Sequence, residues 1–278
     1  GKGGVIVLKA LLSKLKSRVI TNQPHCHSRP DRESADPRIR EDDIIVSNFE
    51  FPQLTIAVQG FGNVGYFFAE DAVKNNLKVI AISDSKGGIT SRNTFQVPRS
   101  TLHDSLDIPL VLKCKKEKGY VAGCYCVGGV CDLRNGRKIT NEELLAMPVD
   151  ILVPSALENV INRQNMHKIK AKIIVEMANG PVTDEAHEYL TKKGVIIIPD
   201  VLANAGGVIG SYLEWLQGIR GEKWSNEKYD KKLKGILEKA TDEIYKRSVS
   251  KKISLKEAAY DIAILRLYKA WRKRNSNL

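Results

Sequence analysis

The sequence predicts an α/β fold in which a doubly wound parallel sheet is followed by C-terminal helices. Two observations lead to this fold class. Short runs rich in β-branched residues are apolar nearly throughout, which is typical of strands covered on both faces. Helical patterns lie between these runs, and strand–helix alternation at this spacing requires right-handed crossovers between parallel strands.

The predicted strands share this apolar character and are residues 55–59, 78–83, 150–154, 172–177 and 195–199. The helices predicted between them are residues 64–75, a stretch within 99–118, 158–169 and 183–193. Thr183 is the predicted N-cap of the last of these, with Asp184 and Glu185 in its first turn. Three more helices are predicted at 205–216, 226–250 and 255–273, and a capping box from Ser254 to Glu257 opens the final one.

The first 53 residues differ in composition and pattern from the rest of the chain. Residues 1–20 are Lys-rich and have a helix-like apolar spacing at Leu8, Leu11, Leu12 and Leu15. Residues 21–50 combine three prolines with alternating charges, a composition that buries too little surface to offset its ordering entropy. We therefore predict a flexible insert at 21–50, before the regular part that begins at Leu54.

The composition excludes several classes of protein. The chain has 278 residues, 42% of them hydrophobic, so it can bury a sizeable core. No apolar run approaches the roughly 20 residues that span a bilayer, so we expect no membrane association. Five cysteines and no signal peptide indicate a reducing, cytoplasmic location. Since the first residue is Gly1 rather than Met, we expect a piece of something longer.

The net charge is +12, and residues 221–278 carry most of it, with 16 basic and 8 acidic side chains. A basic excess could bind nucleic acid, but on a helical tail it is more often a solvated face. No recognised nucleic-acid-binding motif accompanies it. We therefore expect no nucleic-acid partner.

The clearest motif follows the first predicted strand, where Gly60-Phe61-Gly62-Asn63-Val64-Gly65 has the spacing Gly-x-Gly-x-x-Gly. In a Rossmann-like fold the first glycine allows a tight turn and the second lets backbone amides approach a pyrophosphate. The third lets the helix pack close to the strand, and the helix N-terminus adds partial positive charge. A glycine turn can be purely structural. Because this one follows a strand and opens a helix, it predicts a dinucleotide site.

Asp84 ends the second predicted strand, at the position where such folds carry an acid. An acid there accepts hydrogen bonds from the adenosine ribose hydroxyls and repels a 2′-phosphate. This predicts NAD as the cofactor. Lys86 lies nearby and would soften the preference, so NADP is possible.

Several ordered segments together resemble glutamate dehydrogenases of the Glu/Leu/Phe/Val dehydrogenase family. They include Thr55-Ile-Ala-Val-Gln-Gly-Phe-Gly-Asn-Val-Gly, Asp150-Ile-Leu-Val-Pro-Ser-Ala-Leu-Glu-Asn and Ile198-Pro-Asp-Val-Leu-Ala-Asn-Ala-Gly-Gly-Val. The resemblance runs from Leu54 to about Arg274. It implies a nicotinamide dinucleotide cofactor and the reversible oxidative deamination of L-glutamate to 2-oxoglutarate and ammonia. It also implies a homo-oligomer in the intact family, with subunit contacts that rely heavily on a separate catalytic lobe.

The resemblance also implies roles for single positions. The pyrophosphate turn would include Phe61, Asn63 and Val64, and the adenosine ribose would lie at Asp84 and Ser85. The nicotinamide half would be flanked by Ala156 and Asn179, and Asn204 would face the nicotinamide and the substrate.

Ser211 matches the serine that hydrogen-bonds the substrate's side-chain carboxylate, a group that needs donors in a closed cleft. The alternative is a helix serine bonded to its own turn. The run Ser211-Tyr-Leu-Glu-Trp favours glutamate over a branched-chain substrate, because the leucine, valine and phenylalanine dehydrogenases lack it. We expect Tyr212, Trp215 and Leu216 to form the packed face of this helix.

Two positions depart from the family pattern. Met177 stands where Gly is usual and could crowd the nicotinamide loop, and Ser155 stands where Ala is usual. At the front, Gly1-Lys2-Gly3-Gly4 looks like the family's catalytic-lysine segment, which makes Lys2 a candidate catalytic residue. Lys2 could equally be a basic residue at a frayed end.

These observations divide the chain into three parts. We interpret residues 1–53 as a remnant of the catalytic lobe plus the flexible insert, 54–220 as a dinucleotide-binding Rossmann domain, and 221–278 as C-terminal helices. The predicted function is NAD(P)-dependent glutamate dehydrogenase. The alternative is a catalytically inactive NAD-binding remnant of that enzyme.

The remaining cluster is Cys124, Cys126 and Cys131, which lie among glycines. Zinc sites usually combine two Cys-x₂-Cys pairs, or cysteine pairs with histidines. We therefore expect no metal here and a glycine-rich loop with reduced thiols.

Overall fold

The structure of the chain, a computed structural model, describes residues 1–21, 54–91, 105–122, 124, 126–127, 130–131 and 136–275. All of the predicted flexible insert except residue 21 lies outside these residues.

A seven-stranded sheet forms the centre of the described part. Its strands are β1 (Thr55–Gln59), β2 (Lys78–Asp84), β3 (Gly87–Ser91), β6 (Gly136–Ile139), β7 (Ile151–Pro154), β8 (Ile173–Val175) and β9 (Ile196–Ile198). Their order is β6-β3-β2-β1-β7-β8-β9. The five predicted strands are confirmed, and they pair in parallel. Two more short strands, β4 (Cys126–Val127) and β5 (Val130–Cys131), pair with each other in a separate ribbon.

The sheet is mixed, because two further strands join the five parallel strands that were predicted. Strand β3 is antiparallel both to β2 and to β6. Strands β3 and β6 therefore form an antiparallel edge of the sheet. Only Ser85 and Lys86 separate β2 from β3. A connection this short can join only antiparallel neighbours, because a parallel crossover needs a dozen or more residues.

The helices are α1 (Lys2–Thr21), α2 (Asn63–Lys74), α3 (Ile108–Lys118), α4 (Asn141–Leu145), α5 (Asp184–Lys192), α6 (Asp200–Ala203), α7 (Gly206–Arg220), α8 (Asn226–Lys251) and α9 (Leu255–Asn275). Six of them match the predicted helices. The predicted caps are also present: Thr183 Oγ1 accepts from Ala186 N, and Ser254 and Glu257 form the reciprocal capping box.

The predicted helix at 158–169 is wrong, since only a 3₁₀ turn forms there, at Met166–Lys168. Asn159 has a φ of 55°, in the left-handed region. The Asn162 side chain donates to Asn159 O, and the Asn165 side chain donates to Val160 O. Asparagine side chains that bond nearby backbone groups compete with helical hydrogen bonds, and here they stabilise a loop instead.

Apolar cores cover both faces of the sheet, which confirms the doubly wound arrangement. Along β1, Ile56 and Val58 are buried in one core and Ala57 in the other. The alternation follows from the two-residue period of a strand.

Helix α1 is part of the first core. Val5, Leu8, Leu11 and Leu12 are all buried there, at the three- and four-residue spacing seen in the sequence. The helix packs against α8 and α2. It approaches α7 so closely that a Cβ on Gly3 would lie 2.9 Å from the Cα of Gly206. Residues 1–16 therefore share one body with the sheet.

Across the described ranges, none of the helices combines the length and the hydropathy that crossing a membrane would demand.

Candidate functional site

The glycine-rich turn lies at the point where the strand order reverses. Strand β1 has β2 on one side and β7 on the other, and the turn leaves the carboxyl end of β1. In open α/β sheets, ligands bind in the crevice outside the carboxyl ends of the strands at this point. The turn from Gly60 and the loop from Ser155 are the two walls of that crevice.

Gly60 and Gly65 are glycines because side chains would collide with backbone. Gly60 has a φ of 97°, and a Cβ there would lie 2.6 Å from the Cβ of Ala156. A Cβ on Gly65 would lie 1.8 Å from the carbonyl oxygen of Gly60. These two positions let the turn, the β7 loop and helix α2 approach one another closely.

Gly62 differs, because a Cβ there would meet no atom within 4 Å. It is the N-cap of α2, and no side chain among the described residues caps its first turn. The first N–H groups of a helix need partners from outside the helix, and they carry partial positive charge. The open space at Gly62 and these uncapped amides fit the pyrophosphate of a dinucleotide.

Ser155 holds the crevice together, a role that the sequence did not reveal. Its Oγ lies 2.9 Å from the carbonyl oxygen of Gln59 and 2.7 Å from that of Gly60, as donor to both. Its backbone N–H donates to Gln59 O at 2.7 Å. The alanine usual in the family could make only the backbone bond.

Asp84 ends β2, the strand that pairs with β1, and its carboxylate already has partners. Oδ2 accepts from Val121 N at 2.8 Å, and Oδ1 accepts from Lys86 N at 3.0 Å. Lys115 Nζ lies 3.5 Å from Oδ2 and donates to the carbonyl oxygen of Phe61 at 2.7 Å. Lys115 thus joins the glycine-rich turn to the acid, and it was missed because α3 lies far along the chain.

The other predicted residues on this side are close by in the chain. Ser85 is exposed in the turn after Asp84, and Asn63 and Val64 are exposed at the start of α2. Phe61 is buried, so its side chain belongs to the core and only its backbone faces the turn.

On the opposite side the structure brings two predicted residues together. Asn204 Nδ2 donates to Asn179 Oδ1 at 2.7 Å. Asn179 is exposed, in the loop after β8, and Asn204 directly follows α6. Ala156 is exposed at the start of the loop after β7. The three residues line the carboxyl ends of neighbouring strands, where a parallel sheet gathers its loops.

A buried acid supports this side. Glu176 ends the β8 segment and is 1% exposed. Its Oε2 accepts from Asp200 N at 3.0 Å, and Asp200 Oδ2 accepts from Gly180 N at 2.9 Å. Burial raises the pKa of Glu176 to about 7, with the Asp200 carboxylate acting in the same direction. No role was predicted for this residue from the sequence.

Met177 corrects an expectation. Its side chain is buried in the first core, and a Cβ on Gly4 of α1 would lie 2.3 Å from its sulfur. The thioether therefore fills space under α1 and does not crowd the loop of Asn179.

Ser211 lies exposed on α7, and its Oγ donates to Gly207 O at 3.3 Å. This back-bond to its own turn is the alternative that the sequence left open. The expected packing of its neighbours is wrong, because Tyr212 is 51% and Trp215 60% exposed. With Val208 and Ile219 they form an exposed apolar face along α7.

Lys2 lies at the exposed start of α1, where its Nζ is 2.5 Å from Asp230 Oδ2 of α8. This ion pair is half exposed on both sides, so its contribution to stability is small.

The cysteine loop also differs from the expectation of reduced thiols. Cys124 is disulfide-bonded to Cys114 of α3, with Cα atoms 6.2 Å apart. Cys126 and Cys131 are register partners across the β4–β5 ribbon. Within the described ranges, no group of three or more His, Cys, Asp or Glu residues could hold a metal ion.

The mixed α/β sheet, with its glycine-rich turn at the reversal of strand order, is a Rossmann-like fold. A sequence model of the Glutamate/Leucine/Phenylalanine/Valine dehydrogenase family matches residues 42–275. The chain belongs to this family.

Known relatives are consistent with that assignment. An NADP-specific glutamate dehydrogenase of Synechocystis is 40% identical over 222 residues, which cover 80% of this chain and 49% of the relative. An NAD-specific glutamate dehydrogenase of Staphylococcus aureus is 39% identical, over 82% of this chain and 50% of the relative. The chain thus spans about half the length of the curated relatives it matches.

Solved structures share the fold. The hetero-hexameric glutamate dehydrogenase from Thermus thermophilus, in its Leu-bound form, superposes with a TM-score of 0.73 at 24% identity. The match covers 98% of this chain and 53% of that one. Helix α1 is therefore within the region of shared fold.

Proposed function

We propose that the chain is the coenzyme-binding part of an NAD(P)-dependent glutamate dehydrogenase. The reaction would be the reversible oxidative deamination of L-glutamate to 2-oxoglutarate and ammonia. Membership of the family and relatives named as NAD- and NADP-specific glutamate dehydrogenases support this. The observation that carries it is the open, uncapped turn at Gly62, at the reversal of strand order.

The proposed coenzyme site has two halves. The amides around Gly62 and Asn63 would hold the pyrophosphate, and Asp84 with Ser85 would meet the adenosine ribose. Ala156, Asn179 and Asn204 would flank the nicotinamide, the group that exchanges hydride with the substrate when bound. The hydrogen bond between Asn179 and Asn204 supports this half, since it fixes both amides at one edge of the crevice.

We propose that NAD binds more tightly than NADP, and that NADP also binds. A carboxylate at Asp84 opposes a 2′-phosphate. Lys115 is close enough to that carboxylate to offset part of its charge, and Lys86 is adjacent in the chain. The preference should therefore be moderate rather than absolute.

For the substrate we propose L-glutamate, with Ser211 as a donor to its side-chain carboxylate. The Ser211 hydroxyl is exposed, and its bond to Gly207 O is long enough to be exchanged for a charged acceptor. Lys2 is our candidate for the catalytic lysine. The only support for this role is that residues 1–4 resemble the catalytic-lysine segment of the family. To act, Lys2 would have to leave its ion pair with Asp230.

We further propose residues 54–220 as the dinucleotide-binding domain, with 221–278 as C-terminal helices and 1–53 as a remnant of the catalytic lobe. A cytoplasmic location completes the proposal for this chain, and a homo-oligomeric state is proposed for the intact enzyme only.

The test is a calorimetric titration of the chain with NAD and with NADP. We expect saturable binding of both, tighter for NAD. Asp84→Asn should reduce the difference between the affinities for NAD and for NADP. Glu117→Gln, which removes an exposed acid from α3, should leave that difference unchanged. Failure to bind either coenzyme would refute the proposed function, and equal affinity in the unmodified chain would refute the role of Asp84.

A further inference from the structure

Glu176 is a buried acid that none of the predicted roles uses. It is the residue directly after β8 and the first of the loop that carries Asn179. Its backbone N–H donates to Ile198 O at 3.1 Å, which anchors it to the neighbouring strand. One carboxylate oxygen accepts from Asp200 N, and the other, Oε1, is buried without a hydrogen-bond partner among the described residues.

Hydrogen bonds connect this acid to the Asn179–Asn204 pair from two directions. Asp200 accepts from Gly180 N, the residue after Asn179. Asn204 N donates to Asp200 O at 3.0 Å, and the Asn204 side chain then donates back to Asn179 at 2.7 Å. Glu176, Asp200, Asn204 and Asn179 therefore close a ring of contacts that joins two loops of the crevice.

The surroundings of Glu176 oppose its negative charge. A buried carboxylate oxygen without a hydrogen-bond donor destabilises the folded chain, because its hydrogen bonds to water are lost and none replaces them. The Asp200 carboxylate and, from α5, the Asp184 carboxylate repel it, whereas Lys256 of α9 attracts it. Lys256 is itself paired with Asp184 at 2.7 Å, beside His187. Protonation of the carboxylate removes its charge, and with it the repulsion and the larger part of the desolvation penalty.

We infer that Glu176 is a positioning residue of the proposed coenzyme site, whose uncharged side chain fixes Asp200 and, through it, the Asn179–Asn204 pair. Loss of its proton places a second negative charge near the Asp200 carboxylate and leaves a charged oxygen buried without a donor. The ring of contacts then opens locally, which lets water reach Oε1 and releases the two asparagines from their common position. The inference about coenzyme binding rests on the proposed function, whereas the opening of the ring does not.

The first experiment follows amide hydrogen exchange at Gly180 and Asp200 between pH 6 and pH 8. In the unmodified chain we expect protection at both amides to fall through about pH 7, after correction for intrinsic exchange. Glu176→Gln, which cannot ionise, should keep its protection constant. Glu188→Gln, an exposed acid on α5, is the matched control and should behave as the unmodified chain does.

A second variant keeps the inference testable if Glu176→Gln is poorly folded. Asp200→Asn removes the nearest like charge but retains an acceptor for Gly180 N. It should therefore move the loss of protection to lower pH.

The coenzyme readout is the affinity for NADH across the same pH range. We expect affinity to weaken roughly threefold to tenfold from pH 6 to pH 8 in the unmodified chain and to stay constant in Glu176→Gln. A protection profile that is the same in the unmodified chain and in Glu176→Gln would overturn the inference. Absence of NADH binding at every pH, with the exchange profiles as expected, would overturn only the proposed function.

Discussion

At the residue scale, Gly62 and Gly65 share one motif but have opposite spatial requirements. A side chain at Gly65 would collide with the carbonyl oxygen of Gly60, whereas one at Gly62 would project into open space. Gly65 is therefore needed by the fold, whereas Gly62 leaves room for the proposed coenzyme.

This difference gives a first prediction. Gly65→Ala should lower the free energy of unfolding by about 1–3 kcal/mol, because backbone must shift to admit the methyl group. Gly62→Ala should change it by less than about 0.5 kcal/mol, yet weaken coenzyme binding. Denaturant unfolding and NADH titration of both variants provide the measurement. Equal losses of stability would contradict this account of the turn.

Lys115 gives a second prediction. Its ammonium lies between the glycine-rich turn and Asp84, so its removal takes away a positive charge 3.5 Å from the acid and leaves only the backbone donors. Lys115→Met should reduce the affinity for NADP relative to NAD by roughly tenfold, about 1.4 kcal/mol. Lys116→Met, at an exposed position of the same helix, is the control. An unchanged ratio of the two affinities in Lys115→Met would show that this lysine does not influence the ribose site.

Glu176 gives a third prediction, for stability. Its pKa is raised in the folded state from 4.5 to about 7, so the folded chain holds a proton that the unfolded chain releases. The resulting stabilisation is fully present below about pH 4.5 and is lost as pH rises through about 7. Its size is on the order of 3 kcal/mol. Chemical unfolding of the unmodified chain and of Glu176→Gln over this range measures it, and parallel pH profiles would contradict the assignment.

At the residue scale, the residues of the glycine-rich motif and the acid at the end of β2 could be predicted from the sequence. The residues that hold them or neighbouring loops in place could not. Gly60, Gly62 and Asp84 stand at fixed spacings along one strand–helix–strand unit, so local sequence is enough to find them. Ser155, Lys115 and Glu176 act through contacts with residues distant in the chain. Such contacts exist only once the sheet has set the order of its strands.

At the element scale, apolar runs predicted the five parallel strands because burial on both faces leaves a continuous signal. Strands β3 and β6 carry no such signal: Gly87–Ser91 begins with two glycines, and Gly136–Ile139 contains Arg137 and Lys138. Both are ordered by pairing at an edge. The predicted helix at 158–169 is absent for a local reason: three asparagines within seven residues favour side-chain contacts of a loop.

Helix α1 gives a prediction at this scale. If it belongs to the same body as the sheet, Leu12→Ala should lower the free energy of unfolding by about 2–5 kcal/mol, since Leu12 is 1% exposed. Ser13→Ala, one position along and exposed, should change it by less than about 0.5 kcal/mol. A negligible effect of Leu12→Ala would mean that α1 does not pack as described.

At the scale of the whole molecule, the chain covers about half the length of its curated relatives. The residues of the proposed coenzyme site lie within the described body, between Gly60 and Asn204. The exposed apolar face of α7, with Ser211 on the same helix, lies on the outside of that body. Coenzyme binding is therefore the property that this body can be expected to have without further partners.

The most direct test of that property is a titration of the ¹⁵N-labelled chain with NADH, followed by amide chemical shifts. We predict that NADH changes the amide chemical shifts most at the turn from Gly60 to Val64, with further changes at Ala156 and Asn179. Gly62→Ala should lose these changes while retaining its fold. Binding of NADH that leaves the amides of Gly60–Val64 unchanged, or no binding at all, would contradict the claim that this turn is the coenzyme site.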